Sequence, residues 1–171
     1  ALAHGDPAGD LPAVVLALDA TMEIAGAKGR RQVAAKDFFV DYFTTAVGPD
    51  EILVSITIPK LGKGWGTCYE KFNRTASGWA VVGVAAAVKV EGGKITDARI
   101  GLTNCAAVPV RASSVESALK GASISAAEIE AASQSAAEGT RATSDLAADK
   151  EYREHLMRVV TARAVCCAAG A

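Results

Sequence analysis

Four cysteines and two histidines carry the strongest intrinsic chemistry in this 171-residue sequence. The thiols are at Cys68, Cys105, Cys166 and Cys167. No two of them form a Cys-x-x-Cys pair, and the imidazoles of His4 and His155 are far apart in the chain. Zinc sites and iron–sulfur clusters need about four thiolates or imidazoles at close spacings. The sequence therefore predicts no metal centre on this chain.

The adjacent residues Cys166 and Cys167 have two interpretations. Both fall in a helical pattern, where cysteine most often serves as a small buried hydrophobic residue. A functional thiol pair is the alternative. Four free thiols and no signal peptide predict a reducing compartment.

Composition and motifs exclude several classes of protein. The chain has 18 basic and 19 acidic residues, whereas nucleic-acid-binding domains usually carry a basic patch. The longest apolar run, residues 79–88, ends at Lys89 and is shorter than the roughly 20 residues of a membrane span. No Ser/His/Asp set and no glycine-rich loop before a helix is present, so no catalytic residue is predicted.

The beginning of the chain predicts one helix and several short strands. Asp10 is expected to N-cap a helix over residues 11–19, with Pro12 in its first turn. Three strands are expected, over residues 21–25, 31–34 and 51–58. Residues 37–39 between them are expected to be a short helical or irregular segment.

A Gly/Lys-rich segment, residues 60–64, is the expected linker between two domains, 1–60 and 61–171. Three strands are expected in the second domain, over residues 65–72, 79–90 and 94–103. The Gly92–Gly93 centre between the last two predicts a tight hairpin, because both residues tolerate positive φ. The strand over residues 79–90 is apolar on both faces, so it should be central and covered on each side.

Helices are expected to follow the strands. Their bounds are residues 110–120, 125–137 and 151–168, the second opening with a capping box at Ser125. The stripe of the last helix comprises Tyr152, Leu156, Val159 and Val160. Glu154 and Arg158 are expected to pair at i,i+4 on that helix. Strands followed by helices predict an α+β domain, an antiparallel sheet with helices packed on one face.

Eight runs of residues resemble, in order, the FAD-binding medium subunits of molybdenum hydroxylases, which include aerobic carbon monoxide dehydrogenase and xanthine dehydrogenase. They are AHGDPAGDLPA at 3–13 and the runs at 37–45, 50–53, 69–74, 79–82, 95–104, 108–112 and 152–156. Their collinear order along nearly the whole chain argues against chance similarity.

The resemblance implies a fold and a place in an electron-transfer chain. The first domain would be the later part of an α/β FAD-binding subdomain, and the second a small antiparallel sheet packed with three helices. In the family, electrons leave a molybdenum cofactor on a large subunit, cross two [2Fe–2S] clusters on a small iron–sulfur subunit, and reach FAD on the medium subunit. A subunit of a hetero-oligomeric oxidoreductase is therefore expected, inactive alone and located in the cytoplasm or at the inner face of the membrane.

The resemblance also implies that part of the FAD site lies outside this chain. The family's two glycine-rich motifs, which wrap the FAD pyrophosphate with backbone N–H groups, are expected upstream of Ala1. The chain would then be a fragment that keeps the side facing the isoalloxazine ring.

Four residues match family positions around the flavin: Asp10, Leu53, Lys71 and Trp79. Asp10 would orient the ring through its N3–H or a ribityl hydroxyl, with a plain N-cap as the alternative. Lys71 would place a cation beside the anionic reduced ring, with a solvated strand lysine as the alternative.

The other two positions are apolar. Leu53 would touch the isoalloxazine or form ordinary strand core. Trp79 would stack on the ring from a covering loop or anchor the end of a strand in the core. Four further polar residues are expected to make loop hydrogen bonds or to lie on solvated surfaces: His4, Asp6, Arg74 and His155.

Two functions remain open from the sequence. The first is an FAD-binding electron-transfer subunit that passes electrons to a quinone or another acceptor. The alternative is a non-catalytic module that docks a partner subunit and binds no flavin by itself. Flavin absorbance of the purified chain discriminates between them.

Overall fold

A computed structural model describes all 171 residues, which form five helices and nine strands. In chain order the elements are α1 (Asp10–Ala17), β1 (Thr21–Gly26), β2 (Gly29–Ala34), α2 (Ala35–Phe38), β3 (Phe39–Asp41), β4 (Thr44–Thr45), β5 (Glu51–Thr57), β6 (Trp65–Phe72), β7 (Val82–Glu91), β8 (Lys94–Thr103), β9 (Val110–Arg111), α3 (Ser113–Leu119), α4 (Ala126–Ser133) and α5 (Lys150–Ala169). Each predicted strand and helix is present, with bounds that differ by a few residues at most ends. Residues 110–111, predicted as the start of a helix, instead form β9, because they pair with Leu102 and Gly101 of β8.

The first sheet is antiparallel, in the order β2-β1-β5. Its central strand buries Met22 and Ile24 against Val15 and Phe38, which belong to a small separate core. The segment with alternating apolar residues does form a strand, β5, but the alternating side chains are exposed. They are Ile52, Val54, Ile56 and, just beyond the strand, Ile58.

The second sheet is antiparallel, in the order β6-β7-β8-β9. Its β7 is internal, and the first seven residues of that strand are buried, as the continuous apolar run predicts. The hairpin to β8 turns at Gly92 and Gly93, with φ of 58° and 75°. The strand starts at Val82 and not at Trp79, because the carbonyls of Ala80 and Val81 accept side-chain hydrogen bonds outside the β-ladder.

Helices cover both faces of the second sheet. The three C-terminal helices share one core with its inner face, and α1 packs on the opposite face through Ala13 and Ala17. The expectation of helices on one face holds for α3, α4 and α5 only. The apolar side chains of β7 are buried by helices on both faces of the sheet, because the side chains of a strand alternate between two faces.

Two glycines set how closely the helices approach this sheet. A Cβ at Gly66 on β6 would overlap the carbonyl oxygen of Ala168 in the last turn of α5. A Cβ at Gly101 on β8 would overlap the carbonyl oxygen of Ala13 in α1. The backbones therefore meet where a larger residue would force them apart.

The longest helix, α5, is capped at both ends, but the face that it buries differs from the predicted apolar stripe. Asp149 accepts a hydrogen bond from the Tyr152 backbone N–H at 2.7 Å, and Gly170 ends the helix in the left-handed region. Tyr152 is exposed and Arg153 faces the core in its place. The buried face comprises Arg153, Leu156, Met157, Val160, Thr161, Ala164, Val165 and Ala168.

One predicted side-chain interaction of the helices is wrong, and another forms only in part. Glu154 pairs with Lys150 at 3.7 Å, while Arg158 donates to the carbonyl of Gln134 on α4. At α4, Ser125 accepts from the Glu128 backbone N–H, but the Glu128 carboxylate binds Ser123 instead of closing the capping box. Arg158 and Glu128 have partners outside their own helices, whereas Glu154 pairs with a residue of the same helix.

The cysteines do not all remain free thiols. Cys68 on β6 and Cys167 on α5 form a disulfide across 99 residues of sequence, so the expectation of four free thiols is wrong. Cys105 is a buried thiol whose pKa burial raises to about 12, and Cys166 is a half-buried thiol. The argument from free thiols to a reducing compartment falls with this pairing.

The close approach of α1 gives a direct test of the packing. Gly101→Ala is expected to lower the free energy of unfolding by about 1–3 kcal/mol, because the added methyl group must displace the α1 backbone. Gly62→Ala is the matched control, since a Cβ there meets no atom, and its effect should stay within about 0.5 kcal/mol. Urea unfolding curves compare the two; equal midpoints would contradict the close approach.

Candidate functional site

Three side chains of the second sheet's outer face and α1 form one hydrogen-bonded group, here called the Asp10 cluster: Asp10, Tyr69 and Lys71. The Tyr69 hydroxyl donates to Asp10 Oδ1 at 2.8 Å, and Lys71 Nζ donates to Asp10 Oδ2 at 2.9 Å. Lys71 Nζ also lies 3.4 Å from the carbonyl oxygen of Gly78, which it can reach as a second acceptor. Both oxygens of the carboxylate therefore have a protein donor.

The pleat of β6 brings the two donors to the same place. Tyr69 and Lys71 are two residues apart, so their side chains leave the same face of the strand. That face lies against α1, whose first residue is Asp10. Gly83 pairs with Lys71 on the neighbouring strand, and a Cβ at this glycine would overlap the Tyr69 hydroxyl.

The start of α1 is tied to the sheet by backbone contacts. The buried Thr103 hydroxyl lies 2.9 Å from the carbonyl oxygen of Pro7 and 2.7 Å from that of Gly9. The Asn104 N–H donates to Pro7 at 2.7 Å. Because β8 holds this loop, Asp10 enters the cluster from a fixed backbone position.

Asp10 is not the N-cap of its helix. Gly9 occupies the cap position, and Asp10 is the first helical residue with no side-chain bond to the backbone. The alternative that Asp10 only caps its helix is therefore wrong. Its carboxylate is committed to two side chains of β6 instead.

The charges of the cluster balance locally. The Lys71 ammonium faces the Asp10 carboxylate in an ion pair that the sequence did not predict. Burial and then the hydrogen bond to the Asp10 carboxylate raise the pKa of Tyr69 well above its ordinary value. Tyr69 therefore remains a neutral phenol that donates its proton to Asp10.

A cleft of about 280 Å³ opens beside the cluster. Asp10, Lys71, Gly78 and Trp79 are among its lining residues. Trp79 is 68% exposed, which contradicts the alternative that it anchors a strand end in the core. A charged pair and a free indole thus border one opening.

Leu53 lies apart from this cleft. It is half-buried, packs against the core of the first sheet, and lines a separate cleft with His4 and Thr45. A third cleft of about 630 Å³ has Trp79 and Phe43 in its lining, and each of these residues also lines one of the other two. The structure therefore groups Asp10, Lys71 and Trp79 directly and connects Leu53 to them only through this intermediate cleft.

The four weaker candidates have structural or surface positions. Asp6 accepts from the Ala8 N–H at 3.0 Å in a tight turn, and Arg74 donates to the carbonyl of Leu146 at 3.0 Å. His4 lines the cleft of Leu53, and His155 is exposed on α5. The loop and surface interpretation fits Asp6, Arg74 and His155.

Tyr69 and Arg153 are the polar residues that sequence reasoning missed. Arg153 is 1% exposed and donates to the carbonyls of Val81 and Thr143 and to Asp145. Burial opposes ionisation of Asp145, but the N–H groups of Ala148 and Ala147 and the Arg153 charge hold its pKa below the ordinary value. The available signals were the i,i+2 spacing of Tyr69 and Lys71, and the i,i+3 spacing of Arg153 and Leu156.

Comparison with family models identifies both halves of the chain. Residues 67–168 match the model of the CO dehydrogenase flavoprotein C-terminal domain, and residues 1–61 match the FAD binding domain in molybdopterin dehydrogenase. The chain belongs to this family of FAD-binding medium subunits of molybdenum hydroxylases. The resemblance predicted from the sequence is confirmed.

Individual relatives agree with the family models. The chain is 36% identical over 163 residues to the carbon monoxide dehydrogenase medium chain of Afipia carboxidovorans, covering 95% of this chain and 57% of that protein. It is 34% identical over 164 residues to the nicotine 6-hydroxylase medium subunit of Paenarthrobacter nicotinovorans, covering 96% of this chain and 57% of the relative. The chain thus spans little more than half the length of these relatives.

Solved structures support the fold. A carbon monoxide dehydrogenase structure from Hydrogenophaga pseudoflava superposes with a TM-score of 0.93 at 34% identity, over 98% of this chain and 58% of that one. The predicted α+β class is confirmed by this similarity. None of the five helices combines the length and apolar character that crossing a membrane requires.

Proposed function

We propose that this chain supplies the isoalloxazine side of an FAD site in an electron-transfer subunit. Electrons would arrive from [2Fe–2S] clusters on an iron–sulfur subunit, which receives them from a molybdenum cofactor on a large subunit, and would leave FAD for an acceptor. Family membership supports the class of protein. The observation that carries the site is the Asp10 cluster beside the exposed Trp79.

The residues present fit the ring of a flavin. A carboxylate can accept from an imide N–H, and an ammonium can donate to a ring carbonyl, so Asp10 and Lys71 match the polar edge of the isoalloxazine. The Trp79 indole has an exposed face on which an aromatic ring can stack. FAD, when bound, supplies the redox chemistry, and these residues orient it and exclude water.

Leu53 belongs to this proposal in a more distant position. The intermediate cleft borders the cleft of Leu53 at Phe43 and the cleft of Asp10 at Trp79. A flavin ring that reached Leu53 would have to cross the intermediate cleft. We therefore assign Leu53 to the apolar surround of the ring.

We further propose two domains, residues 1–60 and 61–171. The two family models leave residues 62–66 unmatched between them, which supports a boundary there. The glycine-rich pyrophosphate motifs are assigned to a part of the subunit outside this chain. Location in the cytoplasm or at the inner membrane face rests on the family resemblance.

A docking module without flavin is the second candidate. Four exposed side chains surround the intermediate cleft: Tyr42, Phe43, Trp79 and Leu146. Aromatic residues are enriched in the cores of protein interfaces, so this surface also suits a partner subunit. Loss of flavin without loss of subunit assembly would favour this candidate.

Titration with FAD distinguishes the two functions. The isolated chain should bind FAD only weakly, because Asp10, Lys71 and Trp79 would contact mainly the ring end, and the family's pyrophosphate motifs are assigned to a part of the subunit outside this chain. A full-length subunit should retain FAD through purification. Flavin fluorescence quenching measures both affinities; submicromolar binding by the isolated chain would contradict this division of binding energy, and a colourless full-length subunit would reject the FAD site.

A charge-neutral variant tests the role of Asp10. In the full-length subunit, Asp10→Asn should weaken FAD retention, since the amide removes the ion pair with Lys71 while an acceptor for Tyr69 remains. Stability should change by about 1 kcal/mol or less, because the pair is partly exposed. Asp37→Asn, at an exposed position of α2, is the control and should leave both the flavin spectrum and the melting temperature unchanged.

A further inference from the structure

Each oxygen of the Asp10 carboxylate has a different donor. Oδ2 binds Lys71 Nζ at 2.9 Å, and Oδ1 binds the hydroxyl of Tyr69 at 2.8 Å. With Lys71 alone, the carboxylate could rotate about its bond to Cβ and keep the ion pair through either oxygen. The second donor removes that freedom and leaves one orientation.

The phenol that supplies this second donor is itself held rigidly. The Tyr69 ring packs against the small residues Ala13, Ala17 and Ala85, between α1 and the sheet. The missing side chain of Gly83 makes the space that its hydroxyl occupies. A tyrosine side chain has only two rotatable bonds before the hydroxyl, so this packing fixes the donor.

Charge favours the donor state of this phenol. Burial and the adjacent carboxylate both disfavour a phenolate at this position, and the pKa of Tyr69 is raised accordingly. Tyr69 therefore presents a proton to Asp10 over the whole neutral range of pH. The Asp10 carboxylate accepts two hydrogen bonds, both from side chains of β6.

We propose that Tyr69 is a positioning residue of the flavin site: it fixes the Asp10 carboxylate, and through it the Lys71 ammonium, at the edge of the cleft beside Trp79. The inference rests on the proposed FAD site. It assigns to Tyr69 no contact with the flavin. Its effect passes through Asp10.

The test uses the full-length subunit with FAD as the probe. Tyr69→Phe removes one oxygen and keeps the ring, so the fold should persist. FAD affinity should fall about five- to tenfold, or about 1–1.4 kcal/mol at 1.4 kcal/mol per factor of ten, and the visible flavin absorbance should shift. Because the effect acts through Asp10, Tyr69→Phe should change nothing further in an Asp10→Ala background.

Tyr152→Phe provides the matched control, since it makes the same chemical change at an exposed position of α5. It should leave FAD affinity and absorbance unchanged. If Asp10→Ala weakens FAD binding and Tyr69→Phe does not, Tyr69 has no positioning role while the FAD site stands. Equal effects of Tyr69→Phe with and without Asp10 would likewise overturn the inference.

A measurement without flavin separates this inference from the proposed function. In the 171-residue chain, the carboxyl-carbon NMR resonance of Asp10 should move in Tyr69→Phe and stay in place in Tyr152→Phe. An unmoved resonance would overturn the role of Tyr69. A wild-type subunit that binds no FAD would overturn the proposed function, and the resonance would still decide whether Tyr69 positions the carboxylate.

Discussion

Replacing Arg153 with alanine is expected to lower the free energy of unfolding by about 2–4 kcal/mol. The guanidinium is 1% exposed and donates to the carbonyl of Val81 ahead of β7, to the carbonyl of Thr143 and to the carboxylate of Asp145. Without it, the carbonyl of Thr143 loses its side-chain donor, the carbonyl of Val81 keeps only the longer hydrogen bond from Asn104 Nδ2 at 3.4 Å, and a cavity is left in the core. Asp145 is half-exposed, so water can replace its lost partner.

Urea unfolding of the purified chain measures this effect. Arg163→Ala on the same helix is the matched control, because Arg163 is exposed and its removal should change stability by about 0.5 kcal/mol or less. Arg153→Lys should fall between the two, since a single ammonium keeps the charge but lacks the planar fork that reaches separate acceptors. If Arg153→Ala and Arg163→Ala unfold at the same urea concentration, the buried network does not stabilise the fold.

Reduction of the Cys68–Cys167 disulfide is expected to lower stability by about 2–5 kcal/mol. The bond closes a loop of 99 residues, and a cross-link over a long loop restricts the unfolded chain most. It also joins β6 to the last turn of α5, where Gly66 and Ala168 meet. Unfolding curves with and without dithiothreitol measure the difference.

Two serine variants separate the disulfide from general effects of the reductant. Cys68→Ser should be as unstable as the reduced protein and should no longer respond to dithiothreitol. Cys166→Ser, next to Cys167 but outside the disulfide, should keep the response. Alkylation of the unfolded, unreduced chain should label Cys105 and Cys166 only; labelling of all four cysteines would show that the bond is absent.

Local patterns predicted most of the elements, for reasons that lie within each segment. The apolar run of β7 needs cover on two faces wherever it is placed, and Gly92–Gly93 turns the chain because both residues accept positive φ. The Asp149–Gly170 helix has a cap at each end. The collinear runs that resemble the flavoprotein subunits also depend on sequence alone, and they led to the family that the comparisons confirm.

The predictions from sequence were wrong where the position of one segment depended on contacts with a distant segment. The spacing of β7 does not show that α1, which lies about 65 residues earlier in the chain, covers its outer face. The pattern of α5 placed Tyr152 inside and did not favour Arg153, because burying a guanidinium is costly unless acceptors converge on it. Those acceptors come from residues 81, 143 and 145, which only the folded chain brings together.

The sequence by itself determined the elements, the family and the identity of Asp10, Lys71 and Trp79 as candidate flavin-side residues. Tertiary structure decided that Asp10 pairs with Lys71 and Tyr69 and does not cap a helix, that Leu53 lies in a different cleft, and that Cys68 meets Cys167. The physical reason is range: propensity and periodicity act over a few residues, whereas these contacts join side chains 59 to 99 positions apart. Such pairs form only after two elements have packed, and no local spacing encodes which partner a carboxylate or thiol will find.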